Sequence, residues 1–153
     1  MKEKLQEYAL LAEIIGGIGI VASLVFVGLE IKENSKVAEI NAFQNLVSEM
    51  TVLNRMMVDN EELRNLEVSI FAGDTPLTEE QVNLINPYLR AVARMGQLAF
   101  IQYKNGVIDE EKLNSALVPV FSYVRQDETR PIIGFFGDKE YEQYVINYVD
   151  GSN

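Results

Sequence analysis

The chain has 153 residues and a formal net charge of −10, and it contains no Cys and no His. Without Cys it forms no disulfide and no zinc–thiolate site, and without His it lacks the commonest general base and transition-metal ligand. Because an acidic surface repels phosphate groups, we expect no nucleic-acid partner, and the composition favours a non-enzymatic protein with no cofactor and no metal.

A long apolar run lies near the start. Residues 13–35 read EIIGGIGIVASLVFVGLEIKENS, with no charged residue between Glu13 and Glu30. As a helix the uncharged run is about 24 Å long, against about 30 Å for a hydrocarbon core, and residues 8–31 reach a spanning length with both carboxylates at the rims. The run is apolar on every side, and so small a chain cannot wrap such a helix. We predict a membrane-spanning helix within residues 1–31 and a helical domain over 32–153; a buried core helix and a signal peptide are the alternatives.

Small residues line one side of this helix. At about 100° per residue, Ala12, Gly16, Gly19, Ser23 and Glu30 fall within about 40° of one direction. Small residues four apart let helices approach closely in lipid. We interpret this face as a helix-packing seam through which copies self-associate or join a larger membrane complex. An oligomeric ion-conducting pore lined by Gly19, Ser23 and Glu30 is an alternative.

The chain after residue 31 has an amphipathic helical pattern. Apolar residues recur every three to four positions, at Val37, Ile40, Leu46 or Val47, Met50, Leu53 and Met57. Since no Pro or Gly interrupts this part, we predict one helix that continues from the apolar run to about Val58. Asn60 then offers an N-cap for a short helix that ends at Gly73.

The remaining sequence also predicts helices. Thr78 and Gln81 form a capping-box pattern before a helix to about residue 105, in which Pro87 predicts a kink or the true start. Asp109 caps a helix to about residue 126 with a bend at Pro119, and a short helical turn ends at Gly137. Asp138 caps the last helix. No strand alternation occurs, so the predicted class is all-α: a transmembrane helix continuing into a long amphipathic helix, packed with a small helical bundle.

Two arginines and three tyrosines are candidate functional residues. Arg90 and Arg94 lie one turn apart on a mostly apolar helix, where a guanidinium usually pairs with a carboxylate of a neighbouring helix. They form a candidate ion-pair or anion site, and a soluble helical bundle that binds a small anionic ligand is a further alternative. Tyr141, Tyr144 and Tyr148 share one face, which we interpret as packing.

Three segments carry a resemblance to a known family. They are residues 13–35, LRAVARMGQLAFIQYKNGVIDEE in the middle, and RPIIGFFGDKEYEQYV near the end. IKENS fits an I-[RK]-x-N-[TS] element after the apolar helix. Tyr103, Gly106, Asp109 and Glu111 fit a central element, and Phe135-Phe136 replaces what is often a Trp pair in a late paired-aromatic segment. On these motifs the chain resembles an uncharacterised family of small bacterial single-pass membrane proteins.

The resemblance implies membrane attachment and supplies no catalytic residue. We therefore expect the lipid bilayer as a partner and the bacterial inner (cytoplasmic) membrane as the location. We expect the helical domain to be cytoplasmic, since a chain without Cys needs no oxidising compartment. The expected function is that of a self-associating scaffold or an accessory subunit of a membrane complex.

Overall fold

The computed structural model describes residues 2–73 and 76–151, and this part of the chain is all-helical. The five helices are α1 (Lys2–Asp59), α2 (Glu61–Ala72), α3 (Glu79–Lys104), α4 (Glu110–Val124) and α5 (Lys139–Val149). The predicted all-α class, with a long N-terminal helix and a small bundle, is confirmed. Asp74 and Thr75, in the predicted loop before α3, lie outside the described residues.

The predicted caps define the helix ends. The side chain of Asn60 accepts a hydrogen bond from the Leu63 N–H at 3.0 Å, and Gly73 ends α2 with a φ of 80°. Thr78 and Gln81 exchange both hydrogen bonds of the capping box, at 3.2 and 2.9 Å. Each such cap satisfies backbone groups that a helix end leaves unpaired.

Helix α3 begins at Glu79, as the capping box predicts, and Pro87 lies inside the helix rather than at its start. The segment between α4 and α5 forms consecutive turns. The N–H groups of Thr129 and Ile132 donate to carbonyls three residues back, while those of Arg130 and Ile133 donate to carbonyls four residues back, as in a helical turn. The predicted helical turn is therefore present as single turns that do not continue as a helix.

The chain divides into two compact units, Met1–Glu39 and Ile40–Asn153, and α1 contributes residues to both. In the second unit, α3 packs against α2 and α4, and α4 packs against α5. From α1, the side chains of Leu46, Leu53 and Met57 are buried in the same core. The apolar pattern therefore identifies the core-facing residues of α1 correctly from Leu46 onward, whereas Val37 and Ile40, which belong to the same pattern, are exposed.

Gly96 is the point of closest packing in the core. A Cβ atom added there would lie 2.2 Å from the hydroxyl oxygen of Tyr141 and 2.8 Å from Val120 Cγ2. The hydroxyl of Tyr141 donates to the carbonyl of Ala93 at 3.2 Å, one turn before Gly96 on α3. The missing side chain at Gly96 thus lets α5 anchor its tyrosine on the backbone of α3.

Candidate functional site

The most extensive apolar surface belongs to the first unit. Large side chains over residues 14–29 are exposed, for example Ile15 at 67% and Phe26 at 68%. The most apolar 18-residue window of the helix has none of its residues buried inside the chain. By length and composition, this one helix could cross a membrane.

The predicted seam is an open surface. Ala12, Gly16, Gly19, Ser23 and Glu30 are all exposed, and a Cβ atom at Gly16 or Gly19 would meet nothing within 4 Å. The hydroxyl of Ser23 donates to the carbonyl of Gly19 at 2.9 Å. The hydroxyl donor of Ser23 is therefore satisfied within the helix, and the seam presents small residues from Ala12 to Ser23.

A shallow groove surrounds Gly17 on a side of the helix away from the seam. Ile14, Ile18, Val21 and Ala22 line this shallow groove with Gly17. Gly17 and Gly28 have as much open space at Cβ as Gly16 and Gly19. The glycines outside the seam therefore supply matched controls for the glycines within it.

Arg94 and Arg90 are arranged differently from the expectation. Among the described residues no ion pair to a carboxylate of a neighbouring helix involves either arginine. Arg90 Nε instead donates to Asn86 Oδ1 at 3.1 Å, and the guanidinium carbon of Arg94 lies 3.8 Å from the ring centroid of Phe136. The predicted interhelical ion pair is thus replaced by a local hydrogen bond and a cation–π contact.

The contact to Arg94 depends on an unusual backbone conformation. Phe136 has a φ of 52°, and no other described non-glycine residue has a positive φ. Such a conformation costs about 1–3 kcal/mol, of which an exposed cation–π contact returns about 0.5–1 kcal/mol. Phe135 points into the core instead, 5.4 Å from the ring of Tyr141. Phe135 thus packs against the core, whereas Phe136 contacts Arg94.

Arg94 also lines a cleft between α1 and α3. The cleft has a volume of about 280 Å³ and is lined by Glu49, Leu53, Ala91, Arg94, Met95 and Leu98. Four of these six residues are apolar, and the two charged ones have opposite signs. A guanidinium and a carboxylate thus border an apolar surface.

The three tyrosines of α5 form packing contacts, as predicted. Tyr141 is fully buried, and the hydroxyl of Tyr144 donates to Asn114 Oδ1 at 2.9 Å. The ring of Tyr148 stacks on Phe121 with centroids 4.0 Å apart. Burial is the main cause that raises the pKa of Tyr144 to about 12, and it also raises the pKa of Tyr141. The hydroxyls of Tyr141 and Tyr144 therefore stay neutral at physiological pH.

A partly buried polar contact joins α2 and α4, and an aromatic ring of α3 packs beside it. The hydroxyl of Tyr123 donates to the carboxylate of Glu67, while its ring meets those of Phe71 at 5.3 Å and Tyr88 at 6.0 Å. Burial, and next the hydrogen bond to Glu67, raise the pKa of Tyr123 well above its ordinary value. No sequence pattern singles out this contact, because its two polar partners lie 56 residues apart.

Two wider grooves lie elsewhere in the second unit. One, of about 670 Å³, lies between α3 and α5 and is lined by Phe100, Tyr103, Lys104, Lys139, Glu140, Gln143 and Tyr144. Lys104 Nζ and Glu140 Oε2 are 2.8 Å apart at its edge, and the hydrogen bond to Glu140 raises the pKa of Lys104. The other, of about 520 Å³, lies between α2 and α3, with Glu61 and Glu62 at its border.

Among the described residues, neither groove is lined by three or more acidic side chains. Within the part of the chain that the structure describes, no three acidic side chains are grouped to hold a metal ion. Comparison of the chain with protein-family models, with curated proteins and with solved structures finds no match.

Proposed function

We propose that the protein is a non-enzymatic single-pass membrane protein, in which a helix within residues 1–31 spans the bilayer and residues 14–29 lie in the bilayer core. The unit Ile40–Asn153 then serves as the interaction module of a self-associating scaffold or of an accessory subunit in a membrane complex. The observation that carries the proposal is the apolar surface of residues 14–29, which the chain does not bury. Soluble monomers rarely expose contiguous apolar patches larger than a few hundred Å².

The energy of lipid insertion favours this function. Residues 14–29 include four Ile, three Val, two Leu and one Phe. Each such side chain contributes about 0.3–0.6 kcal/mol to insertion near the bilayer centre, or about 3–6 kcal/mol together. Glu13 and Glu30 flank the run, where a carboxylate can reach water at far lower cost than at the centre.

The polar groups within the run are compatible with lipid. Helical hydrogen bonds satisfy the backbone, as a hydrocarbon environment requires. Ser23 is the one hydroxyl residue between Glu13 and Glu30, and its donor is used by the Gly19 carbonyl. An ion-conducting pore lined by Gly19, Ser23 and Glu30 is the alternative to the scaffold function.

Self-association is proposed to use the seam defined by Ala12, Gly16, Gly19, Ser23 and Glu30. Close approach of two backbones requires small residues four positions apart, which Ala12/Gly16 and Gly19/Ser23 provide. The space at Gly16 and Gly19 is empty within the chain, so a second helix can occupy it without displacing any described side chain.

Membrane insertion is tested by a charge at the middle of the run. Val21→Lys replaces a favourable contribution with a cost of about 2.5–3.5 kcal/mol, which offsets most of the insertion energy. Wild-type protein should remain in the membrane pellet after alkaline carbonate extraction, while Val21→Lys should move largely to the supernatant. Val37→Lys, which lies beyond Glu30, is the matched control and should stay in the pellet. Release of the wild type by carbonate would argue against insertion.

Self-association is tested by filling the glycine positions. Gly16→Leu and Gly19→Leu should lower energy transfer between labelled copies in liposomes, whereas Gly17→Leu and Gly28→Leu should leave it within about twofold. None of the four side chains would meet an atom of its own chain within 4 Å of Cβ, so a difference reports contacts between copies. Equal effects at all four positions would contradict self-association through the seam, but they would not contradict the proposal that the helix inserts into the membrane.

A further inference from the structure

The guanidinium of Arg94 contacts an aromatic ring and leaves its N–H donors available. Its carbon atom lies over the ring of Phe136, at 3.8 Å from the centroid. In the described parts of the chain, no hydrogen bond or ion pair engages the nitrogens of Arg94. A guanidinium presents five N–H donors in a rigid plane, and two parallel donors match a carboxylate. Arg94 is therefore an unused carboxylate-binding group.

Phe136 contacts Arg94 while its own backbone has a conformation that residues other than glycine rarely adopt. Its φ of 52° is followed by Gly137 at 79°. Strained backbone of this kind is often found at ligand-binding positions, where it preorganises a contact group. The ring limits the motion of a long side chain, so less conformational entropy is lost when a ligand binds.

The cleft beside Arg94 limits the size and polarity of its ligand. Its volume of about 280 Å³ is below the range of about 300–1,000 Å³ typical of drug-sized ligands. Leu53, Met95 and Leu98 supply an aliphatic wall. A ligand that fits is small and has a short apolar side chain.

Glu49 favours a ligand that carries a positive charge as well as a negative one. It lines the same cleft as Arg94, yet among the described residues these two side chains form no ion pair. A doubly charged anion such as phosphate would be repelled by Glu49, whereas a zwitterion would place a charge of opposite sign near each residue.

We propose that the cleft binds a small aliphatic α-amino acid in its zwitterionic form. The carboxylate binds the edge of the Arg94 guanidinium, and the ammonium group faces Glu49. The aliphatic side chain lies against the wall formed by Leu53, Met95 and Leu98. This site is separate from the apolar helix, so the proposal holds whether or not residues 14–29 cross a bilayer.

Calorimetric titration of the full-length protein in detergent with leucine tests this proposal. Wild-type protein should give saturable binding, and Arg94→Gln should weaken it at least tenfold. Arg90→Gln is the matched control, because Arg90 contacts Asn86 and does not line the cleft; its affinity should stay within twofold. Circular dichroism of both variants checks that the helices remain folded. Absence of saturable leucine binding to the wild type, or equal affinities of the two variants, would overturn the proposal.

Glu49 is tested with a ligand that lacks the ammonium group. 4-Methylpentanoate has the carboxylate and the side chain of leucine, so it should bind the wild-type protein at least tenfold more weakly. Glu49→Gln should weaken the binding of leucine and strengthen that of 4-methylpentanoate, because the like charge is removed. Tighter binding of 4-methylpentanoate than of leucine to the wild type would contradict the zwitterion assignment.

Discussion

Replacing Gly96 with alanine should destabilise the helical unit, because the structure leaves no space for a methyl group. The new Cβ would lie 2.2 Å from the hydroxyl oxygen of Tyr141, 2.8 Å from Val120 Cγ2 and 2.9 Å from Leu117 Cδ2. All three neighbours are buried, with Tyr141 at 0% exposure. The tyrosine must therefore move, and its hydrogen bond to Ala93 is lost.

The size of the effect follows from three contributions. Overpacking a core costs about 1–3 kcal/mol, and loss of the hydrogen bond costs about 0.5–1.5 kcal/mol. Alanine returns about 0.8–1 kcal/mol through its higher helix propensity. We therefore expect the free energy of unfolding to fall by about 1–3 kcal/mol, and the melting temperature to fall by about 4 °C for each kcal/mol.

Denaturant unfolding followed by circular dichroism measures this change. Gly134→Ala is the matched control, since a Cβ there has open space, and its unfolding free energy should stay within about 0.5 kcal/mol of wild type. Tyr141→Phe removes the closest contact, so Gly96→Ala should cost less in that background. A Gly96→Ala protein as stable as the wild type would refute the packing described for α3 and α5.

Two further predictions concern tyrosine hydroxyls. Tyr123→Phe removes the donor to Glu67 and should lower the free energy of unfolding by about 1–3 kcal/mol in the same denaturation assay; no change would show that the contact is not stabilising. The pKa of Tyr144 is raised from 10.0 to about 12, so the folded state keeps a proton that the unfolded state loses. The resulting stability is fully present below pH 10 and is lost as the pH rises through about 12. Tyr144→Phe should therefore make the alkaline decline of stability shallower, and an unchanged slope would contradict this origin.

Much of the fold follows from local signals in the sequence. Asn60, Thr78 and Asp109 each begin a helix because a short polar side chain accepts a hydrogen bond from a backbone N–H three residues on. Gly73 ends a helix because it adopts a positive φ without steric cost. Such interactions involve residues close in sequence, so spacing alone predicts them.

The contacts of the candidate ligand cleft could not be predicted in this way. Arg94 meets Phe136 from another part of the chain, and the contact requires a φ that the sequence pattern does not assign to phenylalanine. Helical periodicity places Arg94 on a face of α3 but not opposite a particular partner. The expectation of a carboxylate partner was chemically reasonable and wrong in detail, because an aromatic ring takes that position.

The sequence predicts both the membrane span and the seam of the apolar helix. An apolar run without a polar side predicts a span, and the structure adds that the chain itself does not cover this surface. Lipid and a second copy of the helix both lie outside a single chain. The boundary at residue 31 and the seam from Ala12 to Glu30 therefore stay predictions.

Spin-label accessibility along α1 tests the central claim most directly. Because the chain contains no Cys, single substitutions such as Ala22→Cys and Val52→Cys can each carry one label in the full-length protein. In liposomes, a label at position 22 should be accessible to oxygen and protected from a water-soluble nickel chelate, while a label at position 52 should show the reverse. Strong accessibility of position 22 to the nickel chelate would contradict a helix that crosses the bilayer.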